Sequence, residues 1–275
     1  MTAAAAPEQS ETLLVADVGN TRLKLAVISA EKGEPGPLPG IGRRQDFLSR
    51  EFRGDNLDRW LDAAAPGKAL LLVASVHEAA AVRLEAAVAA ASATRHRPIR
   101  QRRIGHADLP LEVVLDEPHR VGIDRLAGAA AAAAVKPKGR AAILVDCGTA
   151  TTVDLISPAG GFLGGAILPG PGLMAKALAE GTSRLPEVAA LERGAPPAMP
   201  GRSTQAAIAA GIGWGMRGAV ARLVEEGRRA VGGDAVVMLT GGSSGLVRDA
   251  IPDALVLPDL VLAGIGLAAE RCRAR

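Results

Sequence analysis

Two stretches of this chain repeat one another, and the repeat restricts the fold more than any other feature. Leu13 to Ile28 reads as an apolar run, a polar turn at Asp17-Val-Gly-Asn-Thr21 and a second apolar run; Ile143 to Ile156 does the same around Asp146-Cys-Gly-Thr149. Each is the pattern of a strand, a tight turn and a returning strand. Placing Asp17 on Asp146, an offset of 129 residues, also places Gly19 on Gly148 and Asn20 on Thr149. One such turn reads equally as an ordinary hairpin. Two copies, each opening one half of the chain, point to two similar lobes. A turn of this composition offers a carboxylate, hydroxyls and backbone donors without bulk, which suits a polyphosphate and its metal. Lobes facing each other would hold one nucleotide in a cleft between their Asp-x-Gly turns.

A chain of 275 residues with 48% hydrophobic content can bury a core of that size. Aromatic residues make up only 2% and Tyr is absent, so Leu, Val, Ile and Ala must fill the interior by close packing. The net charge of +3 has one local source in Arg95-His-Arg-Pro-Ile-Arg-Gln-Arg-Arg103. No aromatic residue interleaves that run, so a solvated face is favoured over a nucleic-acid surface. Cys147 and Cys272 lie too far apart in sequence to form a disulfide framework and fit a reducing cytoplasm. Residues 1–11 read as a loose tail without signal character, and Leu126 to Val135 is too short to span a bilayer. The expectation is a cytoplasmic protein with neither membrane nor nucleic acid as partner.

Between the repeats, Glu31 to Gly42 reads as a loop and Arg43 to Ala65 as a helix ended by Pro66-Gly67. Ala69 to Ser75 has the length and continuous apolarity of a strand covered on both faces. His77, alone after that strand, reads first as a structural residue. Glu78 to Ala93 is an Ala-rich helix, and a further helix opens near Asp124 and runs through Val135. In its first turn, the carboxylate of Asp124 is favoured by the helix dipole, and local pattern alone makes it a helix-start acid. In the second half, Gly160 to Gly172 is rich in glycines that let backbone approach a ligand, and Ser203 and Thr204 can cap a helix from Gln205 to Gly227. Within it, Gly213-x-Gly-x-x-Gly218 matches a dinucleotide fingerprint but lacks the strand that must precede one, so close helix packing is the better reading. Ala235 to Leu239 is a strand, Thr240-Gly-Gly-Ser-Ser-Gly245 is a turn able to seat a base or sugar or only to connect, and Asp259 to Arg273 is the last helix.

Taken in order, Asp17-Val-Gly-Asn-Thr-Arg-Leu-Lys24, Gly122-Ile-Asp-Arg125, Asp146-Cys-Gly-Thr-Ala-Thr151, Gly164-Gly-Ala-Ile-Leu-Pro-Gly170 and Thr182-Ser-Arg-Leu-Pro186 resemble the type III pantothenate kinases. These belong to the superfamily of acetate and sugar kinases, heat-shock chaperone ATPases and actin, and the resemblance covers roughly residues 12 to 272. It implies an α/β fold of two similar ribonuclease H-like (actin-like ATPase) lobes, an N-terminal one at 12–137 and a C-terminal one at 138–275. It implies phosphorylation of pantothenate by ATP, the first step towards coenzyme A. Asp17, Val18, Gly19, Asn20, Thr21, Arg22, Leu23 and Lys24 would form the first phosphate loop, with Asp17 near the magnesium that accompanies ATP, and Thr149 would contact ATP from the second. Asp146 would bind a monovalent cation, potassium or ammonium. Gly122, Ile123, Asp124 and Arg125 would hold pantothenate, with Asp124 as catalytic base; Thr182 would reach the substrate across a homodimer interface. The guanidinium fork of Arg125 matches a substrate carboxylate.

The family commonly carries a Tyr shortly before its Gly-x-Asp-Arg motif, where this chain has Leu115. That departure touches one substrate contact and keeps a different small hydroxy acid open as acceptor. A non-catalytic accessory protein on the same fold is the other alternative, and the presence of Asp17, Asp124, Arg125, Asp146 and Thr182 speaks against it. A P-loop kinase is excluded by the absence of its Gly-x-x-x-x-Gly-Lys-Ser/Thr motif.

Overall fold

The computed structural model describes residues 11–29, 36–94, 98–189 and 197–273. Two mixed five-stranded sheets organise it. The first holds β1 (Thr12–Val18), β2 (Arg22–Ser29), β3 (Gly40–Leu48), β4 (Ala69–Ser75) and β5 (Ile99–Arg103), in the order β3-β2-β1-β4-β5. The second holds β6 (Ala141–Cys147), β7 (Ala150–Ile156), β8 (Phe162–Pro169), β9 (Ala235–Thr240) and β10 (Leu255–Val256), in the order β10-β9-β6-β7-β8. In each sheet the first three strands form an antiparallel meander and the last two run parallel to the first. The expected ribonuclease H-like arrangement is therefore present twice. The 129-residue offset carries the ends of β1 onto the ends of β6.

Parallel pairing requires crossovers, and helices supply them. In the first sheet α1 (Asp55–Ala64) precedes β4 and α2 (Glu78–Thr94) precedes β5. Leu57, Trp60, Leu61, Leu84 and Val88 from these helices pack on Leu14, Leu23, Leu25, Leu71 and Val73 of the strands. Beyond β5 come α3 (Ile123–Val135) and, after β8, α4 (Pro171–Glu180) and α5 (Thr204–Ala230). Ser203 caps α5 as expected, its side chain accepting from Ala206 N. Ile212, Met216, Val220 and Val224 of α5 cover Ile143, Val145, Val153, Val237 and Leu239. The chain closes with α6 (Leu260–Leu267) and α7 (Ala269–Arg273).

Three expectations change. The edge strand β3 (Gly40–Leu48) takes in the end of the expected loop and the start of the expected helix, and only Asp55–Ala64 is helical. Pairing with β2, which sets Leu23 opposite Phe47, overrides the loose helical spacing, and Phe47 meets Phe52 edge-on at 5.2 Å across the turn that follows. The glycine-rich stretch after Gly160 is strand β8, with Gly164 at φ +98° beside a shift in its register with β7. Close packing does not explain Gly215 or Gly218 of the Gly213 to Gly218 motif, since a Cβ on either would meet nothing within 4 Å, whereas Gly213 is buried. A tight contact on α5 is at Gly227, where a Cβ would lie 2.9 Å from Leu155.

The chain divides into two compact units, neither of them contiguous. The first takes the chain to Pro110, then Gly122–Ala127 and Val261–Arg275; the second takes Leu111–Val121 and Gly128–Leu260. The contiguous ranges 12–137 and 138–275 do not coincide with them. A packing contact accounts for part of this: a Cβ on Gly264 of α6 would lie 1.8 Å from Ala127 O, so α6 and the start of α3 are locked together in the first unit. Of the tail at 1–11, residues 1–10 lie outside the described residues, as do 31–35 of the expected loop and 95–97 of the basic run. The described part of that run is strand β5 and is neutralised locally. Arg103 pairs with Glu78 and Glu85, Arg102 with Asp108 and Arg100 with Glu11. No helix among the described residues is long and apolar enough to cross a membrane.

Candidate active site

In the first unit the parallel strands β1 and β4 end side by side, with Asp17 opposite Ala74 and Val18 opposite Ser75. The carboxyl ends of parallel strands are where α/β sheets bind ligands. Asp17 is buried and accepts a 2.9 Å charge-assisted bond from Lys24 Nζ, its direct partner on β2. Between them the chain turns through Gly19, Asn20 and Thr21, with Gly19 N donating to Arg22 O at 3.0 Å. Asn20, Thr21 and Arg22 are exposed, while Val18 and Leu23 are buried as the anchors of the two strands.

The Gly122 to Arg125 segment belongs to the same unit. Asp124 stands in the first turn of α3, and its Oδ1 accepts from Arg125 N at 2.8 Å. A Cβ on Gly122 would lie 2.5 Å from that oxygen and 3.5 Å from Val76, so any larger residue would push the carboxyl out of this position. Burial raises the Asp124 pKa above the ordinary carboxylate value, and the nearby charge of Asp17 raises it further, against the opposing pull of the Arg125 N–H. The structure thus brings Asp17, Lys24, Gly122, Asp124 and Arg125 into one unit, with Asp17 and Asp124 close enough to feel each other. A carboxylate whose pKa is raised is a stronger base than an ordinary one. His77 serves the fold: its Nδ1 accepts from Ala80 N at 3.2 Å and caps α2.

In the second unit the turn is shorter. Gly148 and Thr149 alone join β6 to β7, and Gly148 N donates to Ala150 O at 3.0 Å. Asp146 is half-buried opposite Thr152 and Thr240. Gly241, at φ +93°, approaches so closely that a Cβ would sit 2.5 Å from both Asp146 Oδ1 and Cys147 O. Cys147 is buried, its thiol pushed up to about 12 by burial and then by Asp146. Thr182 is exposed just past the end of α4, its hydroxyl donating to Leu178 O at 2.8 Å. Since α4 starts next to the turn and spans 10 residues, its rise of about 1.5 Å per residue carries Thr182 on the order of 15 Å away. Thr182 is therefore not gathered with Asp146 and Thr149.

Two residues that shape these turns were not anticipated for that role. Ser49, fully buried, donates from Oγ to Gly19 O at 2.7 Å and from its backbone N to Thr21 O at 2.9 Å. Gly170 donates its N–H to Thr149 O at 2.9 Å. Neither carries a local signal as a turn partner, because each becomes one only when the third strand of its sheet is paired.

The sequence profile of the type III pantothenate kinases matches residues 13–226. The chain belongs to the type III pantothenate kinase family. That family phosphorylates pantothenate in coenzyme A biosynthesis and draws its phosphate from ATP. A type III pantothenate kinase of Janthinobacterium sp. (strain Marseille) is 34% identical over 258 residues, covering 92% of this chain and 95% of the relative. One from Rhodopirellula baltica is 43% identical over 168 residues, a match spanning 59% of each chain. Among solved structures, one from Campylobacter jejuni named for the Baf family of transcriptional activators superposes with a TM-score of 0.56 at 16% identity, covering 95% of this chain and 100% of the other. One from Sinorhizobium meliloti, named as a 2-dehydro-3-deoxygalactonokinase, gives 0.54 at 16% identity, covering 94% and 99%. These two likenesses bear on the fold alone, and they agree with the double ribonuclease H-like arrangement.

Proposed function

We propose that this chain transfers the terminal phosphoryl group of ATP to the primary hydroxyl of pantothenate, forming 4'-phosphopantothenate. The observation that carries the reading is the pairing, in one unit, of a phosphate-type turn with Asp124, a carboxyl whose pKa is raised by burial and by Asp17. Phosphoryl transfer is mainly positioning and charge neutralisation, so a turn for phosphates and one base for the acceptor hydroxyl supply most of what it needs. In this reading the exposed backbone of Gly19 to Arg22 receives the phosphates, and Lys24, held against Asp17, adds positive charge beside them. Asp124 takes the proton of the pantothenate hydroxyl, and Arg125 grips the pantothenate carboxylate. Thr149 contacts ATP. Thr182 reaches pantothenate from the other protomer of a homodimer working in the cytoplasm.

Asp17 fits magnesium, which is usually held by one or two carboxylates together with substrate phosphates; when bound it neutralises the phosphoryl oxygens. Asp146, whose Oδ1 lies with the Cys147 carbonyl oxygen against the point where Gly241 leaves no room for a side chain, fits a monovalent cation, potassium or ammonium. Oxygen-only donors suit such ions.

The test is ADP release with magnesium, potassium and ATP, in the presence and absence of pantothenate. Strong dependence on pantothenate that disappears when sodium replaces potassium supports both the acceptor and the cation role of Asp146. Turnover with another small hydroxy acid in place of pantothenate would point to the reading that Leu115, standing where the family has Tyr, keeps open. No turnover with any acceptor would leave an accessory role.

A further inference from the structure

We propose that Ser49 is a positioning residue for the first phosphate turn, holding the Gly19 to Thr21 backbone in the geometry that receives ATP. The inference rests on the reading above that this turn binds the nucleotide's phosphates. Ser49 directly follows β3 and is fully buried. It ties the turn at both ends: its hydroxyl donates to Gly19 O at 2.7 Å and its backbone N to Thr21 O at 2.9 Å. Ser49 is itself held, since its carbonyl accepts from Arg83 Nη2 of α2 at 2.7 Å.

The second unit supplies the internal control. The residue directly following its third strand is Gly170, whose N–H donates to Thr149 O at 2.9 Å. A Cβ there would lie 2.3 Å from Gly148 O, and the 129-residue offset places Gly148 on Gly19. The same carbonyl that excludes a side chain in one unit thus accepts a hydroxyl in the other. The difference follows from turn length. Three residues separate β1 from β2, and two separate β6 from β7. The extra residue opens room for Ser49 and adds backbone freedom, and the Ser49 hydroxyl removes that freedom. The backbone donors of a phosphate turn must be pre-set to bind well, since displacement by about 1 Å can cost on the order of a hundredfold in rate.

The experiment compares wild type with Ser49→Ala. It measures MgATP binding by calorimetry without pantothenate, then KM for each substrate, kcat and Tm. Loss of one such bond corresponds to roughly fivefold to tenfold in binding. The expected result is a MgATP Kd and KM raised by about that factor, with the pantothenate KM changed less than about twofold and the protein folded. An unchanged MgATP Kd in folded Ser49→Ala, or equal rises in both KM values, overturns the proposal. Should Ser49→Ala fail to fold, Arg83→Ala decides in its place. Arg83 is exposed and lines an open surface cavity of about 460 Å³, so its truncation leaves the core intact. A MgATP Kd weakened by about threefold then supports the proposal and an unchanged one overturns it. Wild type that binds MgATP but ignores pantothenate overturns the acceptor and leaves Ser49's role to the binding data. Wild type that binds no MgATP overturns both.

Discussion

The two Asp-x-Gly turns sit at the same place in sheets of the same strand order and pairing, yet they differ by one residue in length and are held in opposite ways. In the first unit a buried side chain secures the turn: Ser49 reaches Gly19 O, and Lys24 reaches Asp17. In the second unit backbone does the same work, with Gly170 and Gly241 pressed against the turn where no side chain fits. The carbonyl of the residue ending the first strand receives a backbone N–H in both, from Val76 to Val18 and from Ser243 to Cys147, as the shared sheet order dictates. A duplicated scaffold has therefore been specialised at its turns. The longer, side-chain-held turn lies in the unit that also carries the tuned acid Asp124; the shorter, glycine-walled one carries Asp146.

The strongest way to break this comparison is at Asp124, which has no counterpart role in the second unit. Asp124→Asn should lower kcat by on the order of 10²-fold to 10⁴-fold while leaving MgATP binding near wild type; near-normal turnover would remove Asp124 as the base. Next come the glycine walls. Gly170→Ala and Gly241→Ala should each destabilise the protein by about 2–4 kcal/mol, from steric overlap and, at Gly241, from its φ of +93°. Gly19→Ala meets only Arg22 O at 3.2 Å and has no positive φ, so its cost should stay near or below about 1 kcal/mol. Chemical denaturation of the three variants compares them directly, and equal losses would show that the two turns are held alike.

A smaller effect concerns pH. Asp124 must be ionised to act, and its folded pKa is raised, so kcat/KM should fall on the acid side with a midpoint above the usual carboxylate value of about 4. The sign for stability is the reverse. A raised folded pKa stabilises the protein where Asp124 is protonated, below its unfolded pKa, and that contribution is lost as pH rises through the folded value. Asp124→Asn should thus raise Tm at pH 8 relative to wild type, and the advantage should shrink in acid. The smallest effect is at Cys147. A thiol buried and pushed up to about 12 should resist alkylation by iodoacetamide at pH 8 in the folded protein and react after unfolding.

Legibility followed the range of the interactions. Strands β1, β4, β6 and β9 were readable because a strand buried on both faces is written as a continuous apolar run. Edge strands β3 and β8 were not, because one face meets solvent and their residues are mixed: β3 carries Arg43, Arg44, Gln45 and Asp46 in succession. Asp124 was readable as a helix-start acid by pattern and as a base only by resemblance, while its raised pKa depends on burial beside Asp17, a hundred residues away in sequence. The helical context read for the Gly213 to Gly218 motif is present in α5, although close packing does not account for Gly215 and Gly218.

What the sequence determined by itself was the duplication, the alternation of strands and helices and the ordered motifs that place the chain in its family. Each of these is carried by neighbours along the chain, where periodicity and turn chemistry act within a few residues. Only the tertiary structure decided that the chain crosses between its units at α3 and again at α6, that Ser49 and Gly170 occupy matching places, and that Asp17 lifts the pKa of Asp124. Those depend on which distant segments share a sheet edge or a helix contact, and that choice is made by the packing of the whole chain, where a single Cβ or hydroxyl is admitted or refused by backbone far away in sequence.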